Sequence, residues 1–293
     1  MIETKANIIR WLAYCDELNV YPWEYDFKQT YKLATIQDNQ NGIDMLIDYK
    51  NYQFDEQGFY LNPNDPIQRQ GKYADADKEA HEIYKVLWPV DSSGIIRGDV
   101  MNSFITTFNA AYKQSKSYDK AKKHQDSYYK NLKESYKNSE LIIDNLEGFN
   151  RFGKLTHTLG NFIVLPHWMN TGRASFSKDY WDVTLASLKD FLEPIHAWKN
   201  FIEVYQLQVY VNKKSLTINP LWKNHLKHYG KTNAYTPQNN EEFYTFLNTV
   251  NQRIEYRGKL LTKFLLESLD LKDHHTYSLV KNLPIYYADD LYY

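Results

Sequence analysis

The chain has 293 residues, of which 43% are hydrophobic and 24% are charged, as in an ordinary soluble globular protein with a substantial core. Its 35 basic residues balance 36 acidic residues, so no overall positive field attracts nucleic acid, and such a partner requires a local basic face. The single cysteine, Cys15, excludes an internal disulfide and a cysteine-based zinc site.

Helical periodicity dominates the chain, and no apolar run approaches the roughly 20 residues that a membrane helix needs. We therefore expect a cytoplasmic protein without a membrane partner. Residues 7–18 place apolar side chains on one stripe of a first helix. Residues 20–75 are rich in Pro, Gly, Asn and Asp and indicate turns around the run GIDMLIDY, residues 42–49. Residues 75–88 predict a helix that stops at Pro89.

Further helices are predicted in the rest of the chain. Asp99 is expected to cap a helix over residues 100–113, with Met101, Phe104, Phe108 and Tyr112 as its buried edge. The run NFIVLP predicts a strand, and GFYLN is a second candidate for one. Three more helical patterns cover residues 177–194, 195–211 and 239–269, of which the last is the longest.

These patterns predict a mainly α fold with one or two short strands. We expect a single helical domain over residues 1–293, with a less regular N-terminal third. A division into sub-lobes 1–90 and 91–293 is the alternative. Neither a repeat nor a Gly/Ser-rich linker interrupts the sequence.

One stretch departs from the neutral balance of the chain. Residues 111–138 hold eight lysines and three acidic residues, a local excess of five positive charges. The pattern is polar nearly all round, which is typical of an exposed helix or a partly ordered loop. The lysines of residues 113–137 are candidate phosphate contacts for a nucleic-acid partner.

Polar residues surround a short apolar segment in the run KLTHTLGNFIVLPHWMNTGRASFSKDYWDVTL, residues 154–185. The run resembles the C-terminal half of HNH-type nucleases of modification-dependent restriction enzymes. The matching residues are His157, Leu159, Gly160, Asn161, Leu165, Asn170, Phe176 and Lys178. The resemblance implies a catalytic centre of His157, Asn161 and Asn170 with Mg²⁺ or Mn²⁺ as cofactor.

Two observations limit that nuclease interpretation. The enzymes that the run resembles carry their general base upstream, in an acidic-His-x-x-Pro segment, and this sequence lacks one. A purely architectural alternative also explains the residues. In it, Gly160 permits a tight turn, Asn161 bonds to backbone, and FIVL inserts into the core.

The segment RFGKLTH, Arg151 to His157, resembles the Arg-x5-His pattern of all-helical HEPN-type ribonucleases. In that family the histidine transfers protons, and the arginine stabilises charge on the phosphate as the 2′-OH attacks. The mainly helical prediction suits this class. The polar residue that usually follows the arginine is Phe152 here, and Gly153 weakens the predicted helix.

A third group of polar residues lies in IRGDVMNSF. Asp99 and Asn102 are three residues apart at the predicted start of a helix, and Ser103 follows them. Capping explains Asp99 on its own. The alternative is an anion site at the helix start, to which Arg97 adds a bidentate phosphate contact.

The segments RGDVMNSF, THTLGNFIVLP, MNTGR and KDYWDVTL together resemble an uncharacterised bacterial family with Asp-Thr-Met-Asn-Ser-Phe and Thr-Leu-Gly-Asn-Phe segments. The resemblance covers roughly residues 95–192, and Val100 replaces the usual Thr. It implies that the first and third groups belong to one site. Five residues are then expected to converge on a common pocket: Asp99, Asn102, Asn161, Asn170 and Arg173.

Three functions are compatible with these groups. The first is a nucleic-acid-directed, nuclease-like effector that uses His157 with Asn161, Asn170 and Arg173, and Lys178 as a further phosphate contact. The second is a non-catalytic helical module that binds an anionic small molecule or a protein partner through Arg97 and Arg173. The third is a toxin or phage-defence component that stays silent until a trigger arrives.

Overall fold

The computed structural model describes residues 2–27, 42–51, 78–88, 98–114, 136–165, 179–228 and 236–291. Their fold is mainly α, as predicted. The helices are α1 (Ile2–Glu17), α2 (Gly42–Asn51), α3 (Lys78–Leu87), α4 (Phe104–Lys113), α5 (Glu140–Asp144), α6 (Leu146–Leu155), α7 (Trp181–Leu192), α8 (Trp198–Val204), α9 (Asn240–Ser268) and α10 (His275–Val280). None of the helices in these ranges combines the length and the apolar character that crossing a membrane requires.

One antiparallel pair of short strands joins two distant parts of the chain. β1 (Gly98–Val100) pairs with β2 (Phe162–Val164), so that Asp99 lies opposite Ile163. β2 is fully buried and confirms the strand predicted for NFIVLP. The second candidate strand, GFYLN, lies outside the described residues.

The longest helix, α9, is the central element of the fold. Asn239 caps its start by accepting a hydrogen bond from the Glu242 N–H at 3.0 Å, and Glu241 and Glu242 lie in the positive first turn. Its buried face packs against α3, α6, α10 and the turn Leu159–Asn161. The predicted helix over residues 239–269 is therefore confirmed almost to the residue.

Gly160 is required by a close approach between two backbones. A Cβ atom at this position would collide with the carbonyl oxygen of Ile254 and lie 2.8 Å from the backbone nitrogen of Gly258, both in α9. Only glycine leaves room for this contact. The turn before β2 is thus pressed directly onto α9.

Buried side chains from Ile8 to Leu269 form one hydrophobic core cluster. The N-terminal part joins it through aromatic packing, because Trp11 of α1 stacks on Phe27 with ring centroids 5.7 Å apart. The Phe27 N–H in turn donates to the carbonyl oxygen of His157 at 3.0 Å. The cluster therefore includes residues on both sides of position 90, where a division into sub-lobes was considered.

The prediction that Asp99 caps a helix over residues 100–113 is wrong. Asp99 lies in β1, and its carboxylate accepts from the N–H of Val100 at 2.9 Å. The helix begins later, at Phe104, and Ser103 caps it by accepting from the Thr106 N–H at 3.2 Å. Pairing with β2 keeps residues 98–100 extended, which a local sequence pattern does not reveal.

The helical pattern predicted over residues 195–211 is interrupted in the structure. Only α8 is α-helical there, and Gln206, with φ of 50°, turns the chain away after it. Residues Gln208–Tyr210 form a short 3-10 turn instead. Their buried side chains still pack into the core. The apolar pattern therefore predicted correctly which residues are buried, but not that the helix ends after α8.

Candidate functional site

The two polar segments predicted to meet do so at Asn102 and Asn161, which we call the asparagine junction. The Met101 N–H donates to the Asn161 carbonyl oxygen at 2.7 Å, continuing the contact between β1 and β2. The Asn102 N–H donates to Asn161 Oδ1 at 3.0 Å, and Asn161 Nδ2 donates to the Asn102 carbonyl oxygen at 3.1 Å. The two residues thus bond reciprocally across 59 positions of sequence.

The side-chain amides of the asparagine junction are occupied by other parts of the fold. Asn102 Oδ1 accepts from the Trp181 N–H at 3.2 Å, and Asn102 Nδ2 donates to the Tyr210 hydroxyl at 2.9 Å. Asn161 Nδ2 also donates to the Thr156 carbonyl oxygen at 2.9 Å. Both asparagines are 0% exposed, so their amides hold β1, β2, α7 and the turn at 208–210 together.

Arg257 braces the same region from α9. Its guanidinium donates to the carbonyl oxygens of Gly160 at 2.8 Å and Phe162 at 2.7 Å, and to those of Tyr205 at 3.0 Å and Gln206 at 3.1 Å. Burial lowers the pKa of Arg257 to about 10, so the side chain remains charged at neutral pH. The sequence pattern of α9 could have predicted that Arg257 is buried, because it lies on the same helical stripe as the buried Ile254 and Leu261.

His157 lies just before the asparagine junction and is buried. Its Nδ1 is 4.0 Å from Asp26 Oδ1, which follows α1 in the chain. The pair thus places one imidazole and one carboxylate near each other. Among the described residues, the group of three side chains that could hold a metal ion lies elsewhere.

The Arg-x5-His pair does not share a surface. Arg151 lies on the outside of α6, where it forms an ion pair with Glu255 of α9. The Glu255 carboxylate also accepts from Lys259 Nζ at 2.7 Å. Burial alone would raise the pKa of Glu255, but the hydrogen bonds from Lys259 and Arg151 lower it. Arg151 is therefore engaged in a surface ion-pair network, whereas His157 is in the interior.

The remaining predicted site residues divide into two sets. Asp99 is buried in β1, and Ser103 caps α4 while its N–H donates to the Asp179 carbonyl oxygen at 3.0 Å. Four predicted residues lie outside the described ranges: Arg97, Asn170, Arg173 and Lys178. Residues 115–135 of the basic stretch also lie outside them.

Two polar clusters were not anticipated as sites. Asp182 and His225 form a fully buried pair, with His225 Nδ1 2.5 Å from Asp182 Oδ2, and the same carboxylate oxygen accepts from the Leu221 N–H at 2.9 Å. A second cluster joins Asp16 with His274 and His275 at the surface. Because the partners are far apart in sequence, their spacing gives no local motif.

Comparisons of the chain with protein-family models, with curated proteins and with solved structures found no match. The resemblances to HNH-type nucleases, to HEPN-type ribonucleases and to the uncharacterised bacterial family therefore stay predictions.

Proposed function

We propose that the protein is a cytoplasmic, nucleic-acid-directed effector that binds phosphate groups beside the strand pair β1–β2. Arg97, Arg173 and Lys178 make the phosphate contacts, and the lysines of residues 113–137 add to the local positive charge. The asparagine junction holds together the described residues on either side of β1 and β2 and does not contact the ligand itself.

The observation that supports this proposal is that the described residues next to both cationic segments are held in one small structural unit. Gly98, which directly follows Arg97, pairs with Val164 at one end of the strands. Asp179, which directly follows Lys178, accepts from Ser103 just beyond the other end of β1. Residues 166–178 between these anchors contain Arg173 and Lys178 and no acidic residue. Arginine and lysine side chains suit phosphate recognition.

Binding is tested by fluorescence anisotropy with short labelled RNA and DNA across a range of salt concentrations. We expect the Arg97→Ala/Arg173→Ala/Lys178→Ala variant to bind at least tenfold more weakly, with a salt slope shallower by about 2 to 3. A matched variant removes three exposed lysines elsewhere: Lys199→Ala, Lys272→Ala and Lys281→Ala. Equal losses in the two variants, or no binding by the natural protein, would contradict the proposal.

A nuclease-like activity is the catalytic form of this proposal, with His157 and Asn170 acting on the bound strand, and it requires the buried His157 to become accessible to that strand. It is tested by incubating RNA and DNA with the protein and Mg²⁺ or Mn²⁺, and by comparison with His157→Ala. Growth arrest on expression that His157→Ala relieves would connect the activity to a toxin or phage-defence role. Thermal unfolding of the variant checks that the buried substitution leaves the protein folded.

A second candidate function is a non-catalytic module that binds an anionic small molecule or a protein partner. The specific observation in its favour is that Asn102, Asn161 and His157 are all buried, and that both asparagine amides serve the fold. A ligand-induced rise in melting temperature that persists in His157→Ala, without cleavage of RNA or DNA, favours this candidate.

A further inference from the structure

Two histidines and a carboxylate from opposite ends of the chain meet at the surface. Asp16 lies in the last turn of α1, whereas His274 caps α10 and His275 is its first residue. His275 Nε2 is 2.8 Å from Asp16 Oδ1, and His274 Nε2 is 3.8 Å from Asp16 Oδ2. One possible ligand atom from each residue lies within 4.8 Å of the other two.

We infer that Asp16, His274 and His275 form a binding site for a divalent transition-metal ion of the zinc class, which ties α1 to α10. This site is separate from the proposed phosphate-binding region and does not depend on it.

The donor set selects the class of ion. Two imidazole nitrogens and one carboxylate oxygen are ligands that suit Zn²⁺ and its neighbours, whereas Mg²⁺ and Ca²⁺ prefer sites made of oxygen. Tetrahedral ligands around Zn²⁺ lie about 3.3 Å apart, given metal–ligand bonds of about 2.0 Å. The His275 side chain is 62% exposed and has room to rotate by the small amount that this geometry needs. Water completes the coordination.

The electrostatic surroundings of Asp16 also favour a cation. The carboxyl end of a helix carries partial negative charge, and the last turn of α1 contains no basic residue.

Metal binding changes one hydrogen bond in the protein. His274 Nδ1 accepts from the Thr276 N–H at a long 3.3 Å, so in the neutral ring the proton is on Nε2. Coordination through Nε2 moves that proton to Nδ1 and breaks the cap bond. Metal binding therefore removes a weak capping bond of α10 and adds a metal-mediated link between α10 and α1. Hydrogen exchange at the Thr276 amide should become faster when the metal binds.

The test uses the full chain without an affinity tag, treated with a chelator and then titrated with Zn²⁺ by calorimetry. We expect one Zn²⁺ per chain, no comparable binding of Mg²⁺, and a melting temperature that rises with Zn²⁺ concentration. Asp16→Asn and His275→Asn should each weaken Zn²⁺ binding at least tenfold. The His275 side chain is 62% exposed and that of Asp16 is 43% exposed, so losing their mutual hydrogen bond should change the melting temperature in chelator only slightly.

Matched controls test whether the cluster itself binds the ion. Asp273→Asn removes an exposed acid beside the histidine pair, and His196→Asn removes an exposed histidine elsewhere, where the left-handed backbone suits Asn. Both controls should bind Zn²⁺ like the natural protein. The inference is overturned if the natural protein binds Zn²⁺ no more tightly than Asp16→Asn/His275→Asn, or if the controls lose as much affinity as the cluster variants.

Discussion

Arg257 brings a positive charge into the interior and distributes it over main-chain carbonyl groups. The four carbonyl oxygens that it contacts belong to two separate segments, Gly160–Phe162 and Tyr205–Gln206. Backbone acceptors of this kind are available only where strands and turns end, because regular helix occupies its own carbonyls. One side chain thus satisfies the ends of β2 and of α8 together.

We predict that Arg257→Met destabilises the protein by about 3 kcal/mol or more. Methionine is close in length and apolar, so the loss is that of the charged hydrogen bonds, and it leaves buried carbonyl groups without a donor. Urea unfolding measures the free energy of unfolding. Arg10→Met, at an exposed position of α1, is the control and should change it by less than about 0.5 kcal/mol. Similar effects of the two substitutions would contradict the proposed role of Arg257.

At the scale of elements, the asparagine junction connects β1 and α4 with β2. The side chain of Asn161 satisfies two backbone groups of Asn102. Its Oδ1 accepts from the Asn102 N–H, and its Nδ2 donates to the Asn102 carbonyl oxygen. Such reciprocal bonds stabilise the fold only while both partners are present. The junction is therefore expected to be energetically coupled.

A double-mutant cycle tests this coupling. Asn102→Ala and Asn161→Ala should each lower the free energy of unfolding by about 2 kcal/mol, because each leaves buried polar groups unsatisfied. The double variant should fall short of the sum by about 1 to 2 kcal/mol, measured by urea unfolding without any ligand. The exposed Asn282→Ala serves as the control. Near-neutral single substitutions, or fully additive effects, would contradict the predicted coupling.

Sequence pattern was sufficient for the elements that are specified locally. α1 and α9 follow from their apolar stripes, and the buried run before Pro166 indicates β2. β1 and the true cap of α4 were missed, because both depend on pairing with a strand about 60 positions away. Asp99 is a residue type that often caps helices, but pairing with β2 places it in a strand instead.

The same distinction applies to the candidate sites. The resemblance to the uncharacterised bacterial family implied that the Asn102 and Asn161 segments meet, but the number of bonds that each amide makes is a property of the folded interior. The cluster of Asp16 with the histidine pair joins positions 259 apart for His275, so no spacing rule identifies it. A site whose residues come from distant segments can be recognised only when the three-dimensional structure is known.

At the scale of the whole molecule, the labelling rate of the Cys15 thiol measures how often the fold opens enough to expose α1. Its thiol is 0% exposed, and burial, followed by the charge of Asp16, raises its pKa to about 12. Reaction with a thiol reagent needs both exposure and the thiolate, so the native protein should react only through opening. Cys15 lies in α1 and belongs to the same core cluster as buried residues of α9.

We predict that the free energy of opening measured by Cys15 labelling equals the free energy of global unfolding within about 1 kcal/mol. One shared core makes detachment of α1 as costly as unfolding, because Trp11, Phe27 and the His157 carbonyl join the N-terminal segment to the centre. Iodoacetamide labelling under native conditions, followed by mass spectrometry, gives the opening free energy. Labelling in denaturant supplies the intrinsic rate.

A substitution far from Cys15 distinguishes a single cooperative domain from sub-lobes 1–90 and 91–293. Ile254 is buried in the middle of α9, and Ile254→Ala should lower global stability by about 2 to 5 kcal/mol. In a single domain the opening free energy at Cys15 falls by the same amount, since every route to the thiol passes through global unfolding. If the first lobe opens independently, Cys15 labels at an unchanged rate while urea unfolding reports the loss.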